Sequence, residues 1–177
     1  MSALIYSKSN RREFSRVEAY LPLEFRLVPQ DELELAKSRF SADVMLADFD
    51  LMPPPGNHPQ TESLGILNKK MDAVIRTLMI RYGGFHSLPF KYVTISGSGM
   101  KFSSRQLFST GDILEFKMLL TLNRPAALII YGKVLQVEKQ TNGYYITAHF
   151  SMMDDAVRDS IVRFVFELER EILRGTQ

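Results

Sequence analysis

Between Val17 and Leu27 the chain alternates: Val17, Ala19, Leu21, Leu23, Phe25 and Leu27 are interleaved with Glu18, Tyr20, Glu24 and Arg26. A period of two predicts a strand with one buried face. Pro22 falls on the other face and has no N–H for a ladder, so an edge position or a bulge is expected there. The same alternation returns later, where Leu114, Phe116, Met118 and Leu120 are separated by polar residues such as Glu115 and Lys117. A longer β-branched and apolar run, Ala126 to Val137, is entered through the turn Asn123-Arg124-Pro125, and Asn142-Gly143 marks a hairpin into Tyr144 to Phe150. Together with Phe90 to Ile95 and a short run from Met100 to Phe102, these strands suffice for a small antiparallel barrel.

Two stretches follow a helical period instead. From Asp154 to Arg174, the residues Val157, Ile161, Phe164, Val165, Leu168 and Ile172 share one face, opened by Asp154 and Asp155 and closed by Arg174-Gly175. This predicts an amphipathic C-terminal helix. The region from 30 to about 84 reads as a helical insertion: a first helix carrying Leu33, Phe40 and Val44, a breaker at Pro53-Pro54-Pro55-Gly56-Asn57, and a second helix over about 62–82. In that second helix Leu64, Leu67, Met71, Val74 and Leu78 keep the three-four spacing of a short coiled coil, and Ile66, Ile75, Met79 and Ile80 widen the stripe. So broad an apolar face predicts self-association or partner docking, with folding back onto the barrel as the alternative.

Composition narrows the classes without choosing among them. A length of 177 residues suits one domain with an insertion, and the 45% hydrophobic and 24% charged fractions are those of a globular chain. A formal net charge of +2 is too small to define a partner, so only local clustering of charge is informative. The absence of cysteine excludes disulfides and thiolate metal sites. No apolar run approaches a membrane span, and a cytoplasmic location is expected.

Chemistry concentrates in two segments. Arg11-Arg12-Glu13-Phe14-Ser15-Arg16 brings guanidinium forks together just before the first strand, and Thr94-Ile95-Ser96-Gly97-Ser98-Gly99 combines small hydroxyls with bare backbone. Arginine binds phosphate or the Hoogsteen edge of guanine through two parallel N–H bonds, and its planar face stacks on a base. Arg12 and Arg16 lie on the same side of the chain in either conformation, about 6 Å apart in a helical turn and about 13 Å apart in a strand. Ser96 offers a hydroxyl, and Gly99 permits positive φ or a close backbone approach. The loop is no P-loop, since no Gly-Lys-Ser/Thr follows. His58, His86 and His149 lack metal-ligand spacing, and His149 sits in an alternating strand as a surface or packed histidine. Asp48 with Asp50 lie near the proline-rich breaker, while Asp154 with Asp155 suit a helix N-terminus. The inventory points to no enzyme and to neither metal nor cofactor.

In these features the chain resembles the PilZ family of cyclic-di-GMP receptors. Arg12-Glu-Phe-Ser-Arg16 is similar to that family's RxxxR motif, with Arg11 as a frequent extra arginine, and Thr94-Ile-Ser96-Gly-Ser-Gly99 is similar to its [D/N]xSxxG motif. The Gly111-Asp112 strand, the Gly132-Lys133-Val134 strand and the terminal helix fit as well. The resemblance covers residues 10 to 28 and 90 to 174 and leaves the insertion unmatched. It implies a bacterial second-messenger receptor: a mainly β fold with added helices, in which a PilZ-type barrel over 17–177 follows a flexible segment 1–16. Arg11, Arg12, Arg16, Thr94, Ser96 and Gly99 would then hold the nucleotide. Thr94 departs from the pattern, because it places one short hydroxyl where the family has a carboxylate or amide.

Three functions follow. The first is a non-catalytic cyclic-di-GMP receptor that passes binding on to an oligomer or an unidentified protein effector. The second is a degenerate family member acting as an oligomeric structural adaptor. Nucleic-acid binding is the weakest, because neither a basic stripe nor an aromatic platform continues from the arginines in the sequence.

Overall fold

β1 (Arg16–Leu27) is one long strand that changes partner midway. Its first half, up to Pro22, runs antiparallel to β3 (Phe90–Ser96), and its second half, from Leu23, pairs on the other side with β5 (Ile113–Leu120). Pro22 stands at the changeover, where a residue without an N–H removes least from either ladder. In this computed structural model, which describes residues 15–36, 39–40, 59–121 and 125–175, β4 (Gly99–Ser104), β6 (Ala126–Gln140) and β7 (Gly143–Ser151) complete the barrel. The order β6-β5-β1-β3-β4-β7 closes through pairing of β7 back to β6, giving six antiparallel strands without a break. Closure removes the exposed edges that an open sheet would present.

The alternation read along the sequence is the alternation of burial up to Leu23, after which Phe25 is half-buried and Leu27, expected on the same face, is exposed. Val17, Ala19, Leu21 and Leu23 of β1 face inward with Val93 and Ile95 of β3 and with Leu114, Phe116, Met118 and Leu120 of β5. Aromatic rings fill the middle. Phe116 lies edge-on to Phe102 at 5.4 Å and to Phe150 at 6.3 Å, and Phe25 packs on Phe102 at 4.5 Å.

The C-terminal helix, α2 (Asp155–Gly175), adds Val157, Ile161, Phe164 and Val165 to the same core and packs against β1 and β3. Its first turn is capped as its sequence suggests, with the Val157 N–H donating to Asp154 Oδ1 at 2.9 Å. The other long helix, α1 (Pro59–Tyr82), has 24 residues and so spans about 36 Å. A short 3-10 turn, Phe85–Ser87, anchors its end. Phe85 and Leu88 bury against Ala127, Leu119 and Ile129 on the outside of the barrel, with Lys117 Nζ 4.8 Å above the Phe85 ring. Leu64, Leu67, Met71, Val74 and Leu78, the heptad positions, remain about half exposed.

One expectation changes. The first helix of the insertion, placed on Leu33 and Phe40, is instead a six-residue 3-10 helix, Gln30–Leu35, followed by the two-residue strand β2 (Arg39–Phe40). The cause lies in β6, whose early residues pair with β5 on one side while β7 joins only from Tyr131 onward. The edge at Leu128 and Ile129 is therefore open, and Arg39–Phe40 satisfies it. Val44 and the proline-rich breaker lie outside the described residues.

The core makes a direct prediction. Phe116 is fully buried among three other phenylalanines, so Phe116→Ala should cost about 3–5 kcal/mol. In a thermal melt followed by circular dichroism this appears as a midpoint lowered by roughly 10 °C; an unchanged midpoint would mean that the cavity closes without loss.

Candidate functional site

The β1–β3 register brings the two motif segments together. Arg16 is the direct cross-strand partner of Ser96, Glu18 of Thr94, and Tyr20 of Tyr92. Because Val17, Ala19, Val93 and Ile95 point inward, these six residues share the outer face, where Ser96 alone is buried. The next strands extend the rows. Gly99 of β4 pairs with Ser96 and with His149 of β7, while Lys101 pairs with Thr94 and with Thr147.

Ser96-Gly97-Ser98-Gly99 forms the tight turn between β3 and β4, and its small residues have separate tasks. Ser96 Oγ is buried, donates to the Gly99 carbonyl at 3.2 Å and lies 3.3 Å from Ser98 Oγ. The Ser98 N–H points back to Ser96 Oγ at 3.4 Å, and the Ser98 carbonyl accepts from the Phe150 N–H at 2.9 Å, so the turn is fastened to β7. Ser96 thus shapes the turn from within, and Ser98 carries the more accessible hydroxyl. Gly99 is needed for close approach rather than for positive φ: a Cβ there would lie 2.3 Å from the Ala148 carbonyl oxygen.

Above this turn lies a cavity of about 140 Å³ lined by Arg16, Thr94, Ser96, Ser98, Gly99, Met100, Lys101, Leu135, Thr147, Ala148 and His149. Four of the six residues expected at the site, Arg16, Thr94, Ser96 and Gly99, therefore share one concavity. Arg11 and Arg12 lie outside the described residues. Lys101, Leu135, Thr147 and His149 were not legible as site residues, because only the pairing of β4, β6 and β7 carries them there. Lys101 is already engaged, with its Nζ 3.0 Å from Glu138 and 5.2 Å from the centre of the Tyr145 ring. The structure also assembles a cluster that the sequence hid. Tyr20, Phe90 and Tyr92 form an exposed aromatic patch, with ring centroids 4.4 Å apart for Tyr20–Tyr92 and 5.1 Å for Tyr20–Phe90.

The start of β1 is tied to α2. Ser15, next to Arg16, donates its hydroxyl to the carboxylate of Glu169 on α2. Elsewhere Arg26 bridges Glu115 at 2.9 Å and Glu32 at 2.7 Å, and those hydrogen bonds raise its pKa above the usual arginine range. A second, more open cavity of about 710 Å³, lined by Lys91, Arg105, Tyr144 and the β6–β7 hairpin among others, contains none of the motif residues. Among the described residues, no cluster of three or more histidines and carboxylates has metal-holding geometry, and no helix is long and apolar enough to cross a membrane.

Comparison with known proteins agrees with this architecture. No curated protein matches the chain. A crystal structure of a protein from Xanthomonas campestris, described as a pathogenic protein with a tetrameric PilZ domain self-assembled through a helical bundle, superposes with a TM-score of 0.58. The two are 19% identical, over 90% of each chain, a level at which the likeness shows the fold. The PilZ domain family model matches residues 78–167, just over half of the chain: the end of α1, the five barrel strands β3 to β7 and the start of α2, with β1 outside the match. With its six-stranded barrel, its closing helix and that match, this protein belongs to the PilZ domain family.

Proposed function

We propose that the protein is a non-catalytic receptor for cyclic-di-GMP that acts in the cytoplasm as a signalling adaptor. The observation that carries this reading is the direct pairing of Arg16 with Ser96, which joins the arginine segment and the serine-glycine turn in one concavity. A doubly charged dinucleotide needs forked cations beside hydroxyl donors, and this corner of the barrel offers Arg16 beside the hydroxyls of Ser96, Ser98 and Thr94. Arg11 and Arg12 close on the phosphates beside Arg16, with Ser98 next to the anion and Ser96 holding the turn in shape. Movement of the arginine segment acts on the Ser15–Glu169 bond, and through it on α2. Ligand then biases whichever arrangement of this segment it binds more tightly.

Isothermal titration tests the reading. The parent chain should bind cyclic-di-GMP, while Arg12→Ala and Arg16→Ala each weaken binding by roughly ten-fold to over a hundred-fold, the range expected for one lost charge-assisted hydrogen bond. No heat with the parent at high micromolar ligand removes the receptor function.

A second reading, self-association through α1, rests on its own observation. Five heptad residues of α1 stand about half exposed along one helix, and a related fold is described as self-assembling through a helical bundle. An apolar stripe of this length is covered most economically by another copy of itself. Met71→Glu together with Val74→Glu should convert an oligomer into a monomer in multi-angle light scattering; a parent that is already monomeric ends this reading. If cyclic-di-GMP fails to bind while the oligomer persists, the protein is the degenerate structural adaptor of the family.

A further inference from the structure

The outer face of β1 and β3 carries, beyond Arg16 and Ser96, groups that barrel stability does not require. Following the register away from that pair, the rows are Glu18–Thr94, Tyr20–Tyr92 and Pro22–Phe90. Tyr92 is 77% exposed, Tyr20 57% and Phe90 54%, and their rings lean on one another. Contiguous aromatic surface left in water is a common mark of a binding face. The rows from Arg16–Ser96 to Tyr20–Tyr92 span four residues, about 13 Å along the strands. A base joined through a ribose to a phosphate held at the first row therefore reaches the second and third.

We infer that this face is a base platform: Tyr92 and Tyr20 stack against a guanine of the bound nucleotide, and Glu18 recognises the edge of that guanine. The inference rests on the receptor reading above and names the part of the ligand that these rows take. Guanine presents two neighbouring donors, N1–H and the N2 amino group, and a carboxylate accepts both in parallel. Adenine presents an acceptor at N1, which a carboxylate repels. Glu18 is exposed and has no hydrogen bond or ion pair among those of the described residues, whereas Lys101, two strands away in the same row, is neutralised by Glu138. Glu18 is also the direct partner of Thr94, the position where the family motif carries an acid or amide. The acceptor that Thr94 cannot provide is thus offered from the neighbouring strand.

Titration of the full-length chain with cyclic-di-GMP and with its adenine counterpart tests the platform. Tyr92→Ala should weaken cyclic-di-GMP binding by roughly 5- to 100-fold, the range of one lost stacking contact, and Tyr92→Phe should retain it. Glu18→Gln should lower the preference for guanine over adenine by about ten-fold or more while leaving the melting midpoint in place. Both side chains are exposed, so neither variant disturbs the core. If Tyr92→Ala and Glu18→Gln bind like the parent while Arg16→Ala does not, the platform is overturned and the receptor stands. Unchanged titration of Tyr92→Ala with an altered oligomeric mass overturns it too and assigns the rings to protein contact. A parent that gives no heat with cyclic-di-GMP, but whose Tyr92 ring signals shift with 5′-GMP and not with 5′-AMP, loses the receptor reading and keeps the platform. No response to either ligand removes both.

Discussion

The pairing of one strand with two neighbours in succession is the constraint on which this structure depends. β1 lends its first half to β3 and its second half to β5, and in doing so closes the barrel. The side-chain period of a strand is two, so a slip of one residue between β1 and β3 would turn Val17, Ala19 and Leu21 outward and their polar neighbours inward. Burial of those three residues among Val93, Ile95 and the core aromatics therefore fixes the register. The same register places Arg16 against Ser96. The site is in this sense a by-product of the core: nothing in Arg16 or Ser96 draws them together, while the apolar residues beside them leave one alignment.

That dependence explains what could be read from the sequence and what could not. Period-two alternation is a local property, so the strands were legible almost to the residue. The α2 stripe and its Asp154 cap were legible for the same reason. Arg16, Thr94, Ser96 and Gly99 could be singled out by residue type and spacing, and the fold puts all four in one cavity. The Arg39–Phe40 strand was not visible, because its cause is an unpaired stretch of β6 nearly ninety residues away in sequence. His149 looked like an ordinary strand histidine, and Tyr20 like one polar-face residue of a strand. Their neighbours Gly99 and Tyr92 come from other strands, and no window along the chain contains both members of either pair.

The serine-glycine turn shows how one short segment serves structure and chemistry together. Gly99 leaves room for the Ala148 carbonyl, Ser96 closes the turn, and the Ser98 carbonyl holds it to β7. These bonds fix the backbone of the turn, so the proposed ligand would meet a lower conformational cost of binding on this side of the site. A structural role as a turn and the proposed ligand-binding role are therefore compatible in this segment, with rigidity as the property they share.

The proposed ligand corner and the exposed stripe of α1 sit on different parts of the molecule, and this separation limits how one can influence the other. The stripe of α1 joins the barrel through the Phe85 turn on β5 and β6, whereas the Arg16–Ser96 corner lies on β1 and β3 beside α2. A barrel packed with interlocking phenylalanines does not deform gradually, so a signal crossing it needs an element with two discrete positions. Among the described residues, the contact best placed to be such an element is Ser15–Glu169. It is exposed, it stands next to the motif arginine, and it joins the start of β1 to α2. A polar contact of this kind exchanges with water at little net cost, so a ligand that repositions Arg16 can break or remake it without disturbing the core. Any response to nucleotide is therefore expected first in α2, and an α1 assembly is free to persist with the site empty or filled.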